Sequence, residues 1–290
     1  MSEQKSVSET AETTALMRAV ACYETDVRIK GKDYLAYLFL APERIRKLTS
    51  ELYRNAVKDA ARNGLYEYVI ARTAYFDDLF VNAIFMNVPQ IVLLGAGYDT
   101  RAYRYGNLPG ETKVFEVDAP FTQNRKTEIL KTSGVSYDKV VFVSADFEKD
   151  DLFGSLIKNG YSPSRKTLYI WEGLTMYLTP ESVDATLSAI VSNSAAQSVL
   201  SFDYVNMHID DESVIIRKDE VVRFGMSPSA IEEYIRSLGY HVKKNIDFED
   251  MNRLYLTCKN GEIFGNIKTT MNFLEVNTVD SRQLITNQDY

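Results

Sequence analysis

The order of apolar and polar residues divides the chain into a helical first part and an alternating second part. Residues 1–89 carry apolar side chains three and four positions apart, which is typical of amphipathic helices. From residue 90 onward, short and mostly apolar runs alternate with longer amphipathic stretches. The runs that we interpret as strands are IVLLG (91–95), VFEVD (114–118), VVFVSAD (140–146), TLYIWEG (167–173) and SVLSFDYVN (198–206).

This alternation predicts a doubly wound α/β fold with a mostly parallel sheet, because strands that are apolar on both sides need helices on both faces. Two later segments, 240–248 and 273–279, are predicted to complete a seven-stranded sheet. We interpret residues 1–89 as a helical lid, residues 90–290 as the α/β domain and residues 207–226 as a loop or insertion over the ligand. The predicted helices are 8–24, 42–62, 65–86, 119–132, 150–159, 180–195 and 227–238.

A glycine-containing turn follows the first predicted strand. Gly95 and Gly97 in LGAGYDTR allow a tight turn and a close approach of the backbone to a ligand. A dinucleotide-binding fingerprint would have a third glycine where this chain has Thr100. The turn therefore favours a nucleoside ligand other than NAD or FAD, and an oxidoreductase is the weaker alternative.

Acidic residues follow three consecutive predicted strands. Asp118 lies 21 residues after Gly97, where an acid can accept hydrogen bonds from ribose hydroxyls, and Glu116 on the same strand face is the alternative. Asp146 and Glu172 end the next two strands. These strand ends share one crevice, in which three carboxylates repel each other unless a ligand supplies donors or positive charge. The pattern points to S-adenosylmethionine rather than to a phosphate-rich cofactor.

Several segments resemble the leucine carboxyl methyltransferase family, whose bacterial members include polyketide O-methyltransferases. These segments are ARTAYFDDLF (71–80), QIVLLGAGYDTRAYRY (90–105), VFEVDAPFTQNRK (114–126), VSADF (143–147) and TLYIWEGLTMYLTPESVDATL (167–187). The resemblance implies a Rossmann-like class I methyltransferase fold. It also implies S-adenosylmethionine as the cofactor, bound by residues 90–290, and S-adenosylhomocysteine as the product.

The resemblance also implies roles for individual residues. Gly95 and Gly97 would approach the methionine and ribose parts of the cofactor, and Asp118 or Glu116 would bind the ribose. Asp99, within the turn, is included among the cofactor-binding candidates. The remaining implied contacts are adenine with Asp146 and Phe147, the methionine amino group with Glu172, and the methionine carboxylate with Arg72.

Methyl transfer from a sulfonium requires the acceptor oxygen, the methyl carbon and the sulfur to lie in line. A carboxylate acceptor needs no base, whereas a phenol benefits from one, and Tyr204 and His208 after the fifth strand are the catalytic candidates. We therefore expect an O-methyltransferase that acts on a hydroxyl or carboxyl oxygen of a small organic acceptor, such as a polyketide or other secondary metabolite. The alternatives are a nucleotide-cofactor oxidoreductase and an S-adenosylmethionine-binding protein without turnover.

Composition narrows the range of partners. The chain has 33 basic and 40 acidic residues, a net charge of −7, which argues against nucleic acid and anionic membrane surfaces. Its polar N-terminus has no apolar signal core and no segment is apolar enough to span a bilayer, so a cytoplasmic location is expected. Cys22, Cys258 and only two histidines match no metal spacing, so we expect free thiols and no metal site. The sequence carries no signal for an oligomeric state.

Overall fold

The computed structural model describes residues 2–106, 110–207, 215–217 and 220–279, and His208 lies outside these ranges. The strands are β1 (Gln90–Leu94), β2 (Lys113–Asp118), β3 (Val140–Ser144), β4 (Thr167–Trp171), β5 (Val199–Val205), β6 (Ile215–Arg217), β7 (Glu220–Val221), β8 (Tyr240–Ile246) and β9 (Met271–Thr278). The helices are α1 (Ser2–Ala21), α2 (Pro42–Lys47), α3 (Glu51–Ala60), α4 (Leu65–Phe85), α5 (Arg101–Arg104), α6 (Pro120–Thr132), α7 (Leu152–Lys158), α8 (Pro180–Ser192), α9 (Pro228–Ser237) and α10 (Phe248–Tyr255).

Seven strands form one sheet in the order β3-β2-β1-β4-β5-β9-β8. Strands β1 to β5 pair in parallel, β9 is antiparallel to both of its neighbours, and β8 therefore runs with the first five. This confirms the predicted mostly parallel, seven-stranded sheet. The strand order reverses between β1 and β4, and ligands of doubly wound sheets bind outside the carboxyl ends of the strands at such a point. Strands β6 and β7 form a separate two-stranded ribbon within the segment predicted as a loop.

Helices cover both faces of the sheet, as the apolar strands require. In β1, Ile91 and Leu93 join an apolar cluster with residues of α1, α4 and α10, whereas Val92 and Leu94 join a second cluster with residues of α7, α8 and α9. This is the alternation expected of a strand that is buried on both sides. The first cluster contains both the N-terminal helices and the sheet, so α1 and α4 share one apolar core with the strands. Among the residues that the structure describes, no helix is long and apolar enough to cross a membrane.

The main differences from the predicted elements are an interrupted helix, a shorter strand and an additional helix. The helix predicted over 42–62 is interrupted, because Ser50 caps α3 by accepting a hydrogen bond from the backbone N–H of Tyr53. Strand β3 ends at Ser144 rather than at Asp146. Helix α10 was not predicted, although its N-cap Asp247 accepts from the N–H of Asp250, which is an ordinary helix start signal.

Candidate active site

One large cavity of about 1570 Å³ lies at the carboxyl ends of the central strands, under α1 and beside α4. We call its lining residues from the segments 93–104, 118–122, 145–148 and 170–174, together with Arg72, the inner half. Its lining residues from α1 and from the segments 57–69 and 268–271, Tyr68 included, form the outer half. The volume exceeds the roughly 300–1,000 Å³ of a pocket for one drug-sized ligand.

The structure brings most of the candidate residues together in the inner half. These residues are Arg72, Gly95, Gly97, Asp99, Asp118, Asp146, Phe147 and Glu172. Glu116 and Tyr204 do not line the cavity. Tyr204 is fully buried on the opposite side of β5, where its hydroxyl donates to Asn245 Oδ1 at 2.9 Å. His208 lies outside the described residues.

The glycine turn exposes backbone to the cavity. Gly95 and Gly97 have φ angles of 67° and 41°, values that favour glycine. A Cβ atom on Gly95 would lie 2.5 Å from Leu174 Cδ2, whereas a Cβ on Gly97 would meet no atom closer than 3.8 Å. Gly97 therefore faces open space, and its N–H donates to Asp118 Oδ2 at 2.5 Å. Asp118 also accepts the N–H of Ala119 at 2.7 Å, which fixes its carboxylate at the end of β2.

Arg72 connects two carboxylates at the bottom of the cavity. Its Nε lies 2.9 Å from Glu172 Oε1 without an aligned hydrogen bond, and its Nη1 donates to Asp203 Oδ2 at 3.3 Å. Asp203, fully buried in β5, also accepts from the hydroxyl of Tyr68 and from the N–H of Gly173 at 2.6 Å. Burial and the adjacent Asp203 raise the pKa of Tyr68 well above its ordinary value, so Tyr68 remains a protonated donor. The Asp203 carboxylate therefore fixes both Arg72 and the turn after β4.

Arg101 neutralises the acids on the other side of the inner half. Its guanidinium lies 2.6 Å from Asp99, 2.7 Å from Glu172 and 2.8 Å from Asp77. Burial alone would raise the pKa of Asp99, but the charge of Arg101 lowers it to about 2. Arg104 binds Asp77 as well, at 2.8 Å. The strand-end acids were expected to interact with a cationic ligand. One of them, Glu172, is already paired with arginines of the chain itself.

A second buried pair lies behind the glycine turn. Glu116 is 1% exposed and lies 2.7 Å from Lys126 Nζ, while the Tyr103 hydroxyl donates to it at 2.9 Å. Burial raises the pKa of Glu116 to about 7 against the opposing charge of Lys126. Lys126 also approaches the carbonyl of Ala96 at 3.5 Å, so the pair supports the turn from below.

The adenine candidates lie at the end of β3. Lys149 lies 2.7 Å from Asp146 and holds the pKa of that carboxyl below its ordinary value. The Phe147 ring stacks on Trp171 with the ring centroids 6.1 Å apart. Phe147 therefore offers the cavity an aromatic surface that is fixed from behind.

Helix α1 is tied directly to the glycine turn. Arg18 donates to the carbonyl of Tyr98 at 2.7 Å and forms an ion pair with Asp33 at 2.9 Å. Asp33 accepts in turn from the hydroxyl of Thr100 at 2.6 Å. Thr100, which stands where a dinucleotide fingerprint would have its third glycine, therefore anchors the N-terminal segment.

Sequence reasoning missed Asp77, Asp203 and Asp33, which hold the arginines of the site. Asp203 carried a readable signal, because an ionisable residue within a strongly apolar strand needs a buried partner. Asp77 and Asp33 carried none, since acidic residues are common in helices and loops.

Comparisons with known proteins identify the family. The model of the family described as leucine carboxyl methyltransferase matches residues 11–191. A Mycolicibacterium smegmatis protein, provisionally named as an S-adenosyl-L-methionine-dependent methyltransferase, is 30% identical over 262 residues and covers 82% of this chain and 83% of its own. A second protein of that organism with the same provisional name is 32% identical over 251 residues, covering 82% of this chain and 84% of its own.

A crystal structure described as that of a methyltransferase from Thermobifida fusca shares the fold, with a TM-score of 0.58 and 16% identity over 79% of this chain and 89% of that one. At this identity the likeness supports the fold alone. The family match covers more than half of the chain, and the seven-stranded sheet is that of a class I methyltransferase. The chain belongs to the leucine carboxyl methyltransferase family of S-adenosylmethionine-dependent methyltransferases.

Proposed function

We propose that the protein transfers the methyl group of S-adenosylmethionine to a hydroxyl or carboxyl oxygen of a small organic acceptor. One observation carries this proposal: a single cavity of about 1570 Å³ extends from the strand ends to the N-terminal helices. A space of this size accommodates the cofactor and a second small molecule at the same time. We further propose that residues 1–89 act as the lid of this cavity, since α1 forms part of its wall.

The inner half fits the cofactor. The open backbone at Gly97 leaves room for the ligand, and Asp118 at the end of β2 is the ribose acceptor in this proposal, since Glu116 does not line the cavity. Arg72 lines the cavity beside Glu172, and we assign its guanidinium to the methionine carboxylate. Glu172 and Asp99 would bind near the amino group, and Asp146 with Phe147 would hold the adenine.

The proposed reaction needs positioning more than proton transfer. When bound, S-adenosylmethionine supplies an electrophilic methyl group on a positively charged sulfur. The described lining contains no histidine, and the carboxylates Asp99 and Glu172 are already paired with Arg101. A lining of this kind suits an acceptor that is ionised without help, such as a carboxylate or an acidic phenol. The chain would then bind the acceptor, orient it and exclude water.

The test is methyl transfer by the intact protein to a panel of phenols, alcohols, carboxylates and amines, followed by mass spectrometry. We expect a mass gain of one methyl group on oxygen acceptors, with S-adenosylhomocysteine released in equal amount. Transfer to amines alone would contradict the oxygen specificity. Binding of S-adenosylhomocysteine without turnover on any acceptor would support the non-catalytic alternative.

The ribose assignment is tested separately with Asp118→Asn and Glu116→Gln. We expect Asp118→Asn to weaken the binding of S-adenosylhomocysteine by about 1–3 kcal/mol, because a charged hydrogen-bond acceptor is lost. Glu116→Gln should leave this affinity within about threefold, since its carboxylate lies behind the turn. Calorimetric titration of both folded variants decides between them, and the reverse ranking would assign the ribose to Glu116.

A further inference from the structure

The two halves of the cavity differ in how their cations are paired. In the inner half, Arg72, Arg101 and Arg104 each lie within 3 Å of a carboxylate. In the outer half, Arg18 is paired with Asp33 at 2.9 Å, whereas the exposed side chains of Arg62 and Lys268 have no ion-pair or hydrogen-bond partner among the residues that the structure describes. Unpaired cations that face a cavity are available to a ligand.

Arg62 and Lys268 lie on the same wall. The N–H of Lys268 donates to the carbonyl of Asn63 at 3.2 Å, and a Cβ atom on Gly64 would lie only 2.2 Å from the carbonyl oxygen of Asn266. The two chain segments are therefore in direct backbone contact. Thr269, beside Lys268, also lines the cavity and has a buried Oγ1 without a hydrogen-bond partner. This backbone contact thus places two positive charges on one wall of the cavity.

The wall lies well away from the cofactor end of the cavity. Helix α4 presents Leu65, Val69 and Arg72 to the cavity, one to two turns apart. At 1.5 Å per residue, Leu65 lies roughly 10 Å along the helix from Arg72, and Arg62 precedes Leu65. The lining between these two ends includes the apolar side chains of Val57, Leu65 and Val69. The outer half therefore runs from Arg72 along an apolar stretch to a cationic end.

Neighbouring acids do not neutralise this cationic end. Glu67, in the first turn of α4, lies against Gly265 and does not line the cavity. Glu24 is engaged by Lys58 at 2.5 Å and by the Tyr66 hydroxyl at 2.6 Å. With a net charge of −7, the chain as a whole does not attract anions, so an anion would be recognised here by local contacts.

We propose that the acceptor is an amphipathic anion whose carboxylate or phosphate group is bound by Arg62 and Lys268, with the methylated oxygen at the opposite end of the molecule. Arginine and lysine both bind these groups, and the apolar stretch of α4 accommodates the body of the molecule. This inference rests on the proposed function, because it names the class of acceptor for that same cavity.

The experiment uses the full chain saturated with S-adenosylhomocysteine and three probes of equal chain length, each with an acidic phenol at one end and, at the other end, a carboxylate, the matching amide or the matching phosphate. Binding is measured by calorimetry for the unaltered protein, for the double variant Arg62→Gln/Lys268→Gln, and for Arg46→Gln/Lys131→Gln. The last variant removes one arginine and one lysine from positions that are equally classed as exposed but do not line the cavity.

We expect the unaltered protein and the Arg46→Gln/Lys131→Gln control to bind an anionic probe about tenfold more tightly than the amide. The carboxylate and phosphate probes show which anion the wall prefers, and a preference for either supports the proposal. In Arg62→Gln/Lys268→Gln the advantage over the amide should disappear, while affinity for S-adenosylhomocysteine stays the same.

If neither anionic probe binds the unaltered protein more tightly than the amide does, or if an anion preference survives in Arg62→Gln/Lys268→Gln, this inference is overturned and the proposed function still stands. Failure of every probe to bind, in a protein that still binds S-adenosylhomocysteine, would count against the proposed small-molecule acceptor itself. The two failures are therefore distinguishable.

Discussion

The inner and outer halves of the cavity differ in how their charged side chains are paired. The inner half is held by a continuous series of buried ion pairs that runs from Asp203 through Arg72, Glu172 and Arg101 to Asp77. The outer half is lined mostly by apolar and hydroxyl side chains, contains one paired arginine, Arg18, and ends at two exposed cations without partners among the described residues. A site whose charges are already fixed binds one ligand with little reorganisation. We infer that the inner half serves an invariant cofactor and that the outer half determines acceptor choice.

The halves also differ in their origin along the chain. Nearly all of the inner half comes from the loops directly after four strands, between residues 93 and 174. The outer half combines α1, the segment around Arg62 and the segment around Lys268, which lie far apart in sequence. Local motifs can specify the first, whereas only the completed fold assembles the second.

Of the changes considered for the two halves, loss of the Asp203 charge is expected to lower the free energy of unfolding most. Asp203→Asn removes a buried charge that holds Arg72 and leaves that guanidinium with Glu172 alone. Breaking a buried ion pair costs about 3–5 kcal/mol. We expect urea unfolding without ligand to show a loss of this order.

The matched control for Asp203→Asn is Asp250→Asn, which breaks the exposed pair with Arg253 on α10. Surface pairs contribute at most about 1 kcal/mol, so this variant should unfold almost like the unaltered protein. Similar losses in both variants would show that the buried series does not stabilise the inner half.

Sequence alone predicted the part of the molecule that depends on local patterns. The strands, the glycine turn and the line of acids at Asp118, Asp146 and Glu172 follow from short segments, and family membership and the cofactor were confirmed. The partners Asp77 and Asp203 were missed because they meet Arg101 and Arg72 only in the folded chain. The roles of individual cofactor-binding residues remain predictions.

Tyr204 illustrates why a strand-end position is not sufficient to identify a catalytic residue. It lies near the end of β5, yet side chains alternate between the two faces of a strand, and the Tyr204 side chain joins the apolar cluster on the other face of the sheet from Val205. Its neighbour Val205 lines the cavity instead. A one-residue difference in register thus decides which side chain can reach an acceptor.

The pH dependence of the free energy of unfolding tests whether Glu116, buried behind the glycine turn, has a raised pKa in the folded chain. Burial raises the pKa of Glu116 from 4.5 to about 7, so the folded chain holds this proton more tightly than the unfolded chain. The resulting stabilisation is fully present below pH 4.5 and is lost as the pH rises through 7. The free energy of unfolding, taken relative to Glu116→Gln, should fall by on the order of 3 kcal/mol over this range. A difference that does not change with pH would show that Glu116 titrates normally.

Arg72→Ala tests the ligand role of the inner half apart from its structural role. We expect S-adenosylmethionine to bind about 2 kcal/mol more weakly, because the contact with its carboxylate is lost, whereas adenosine should be nearly unaffected. Both affinities are measured by calorimetry on the same folded sample, and Arg46→Ala at an exposed position is the control. Equal losses for the two ligands would show that Arg72 only maintains the shape of the cavity.

The smallest expected effect tests the outer half by volume rather than by charge. Ala61 lines the cavity next to Arg62, and Ala61→Phe adds a ring there without touching the ion pairs of the inner half. For the best acceptor from the panel, we expect KM to rise about fivefold, or roughly 1 kcal/mol, while affinity for S-adenosylhomocysteine stays the same. The control Ala185→Phe places the same ring on an exposed position of α8 that does not line the cavity. An unchanged KM in Ala61→Phe would mean that the acceptor does not extend to this wall. A loss of S-adenosylhomocysteine affinity instead would mean that the two halves are not independent, and that the ion pairs of the inner half respond to the packing of the N-terminal helices.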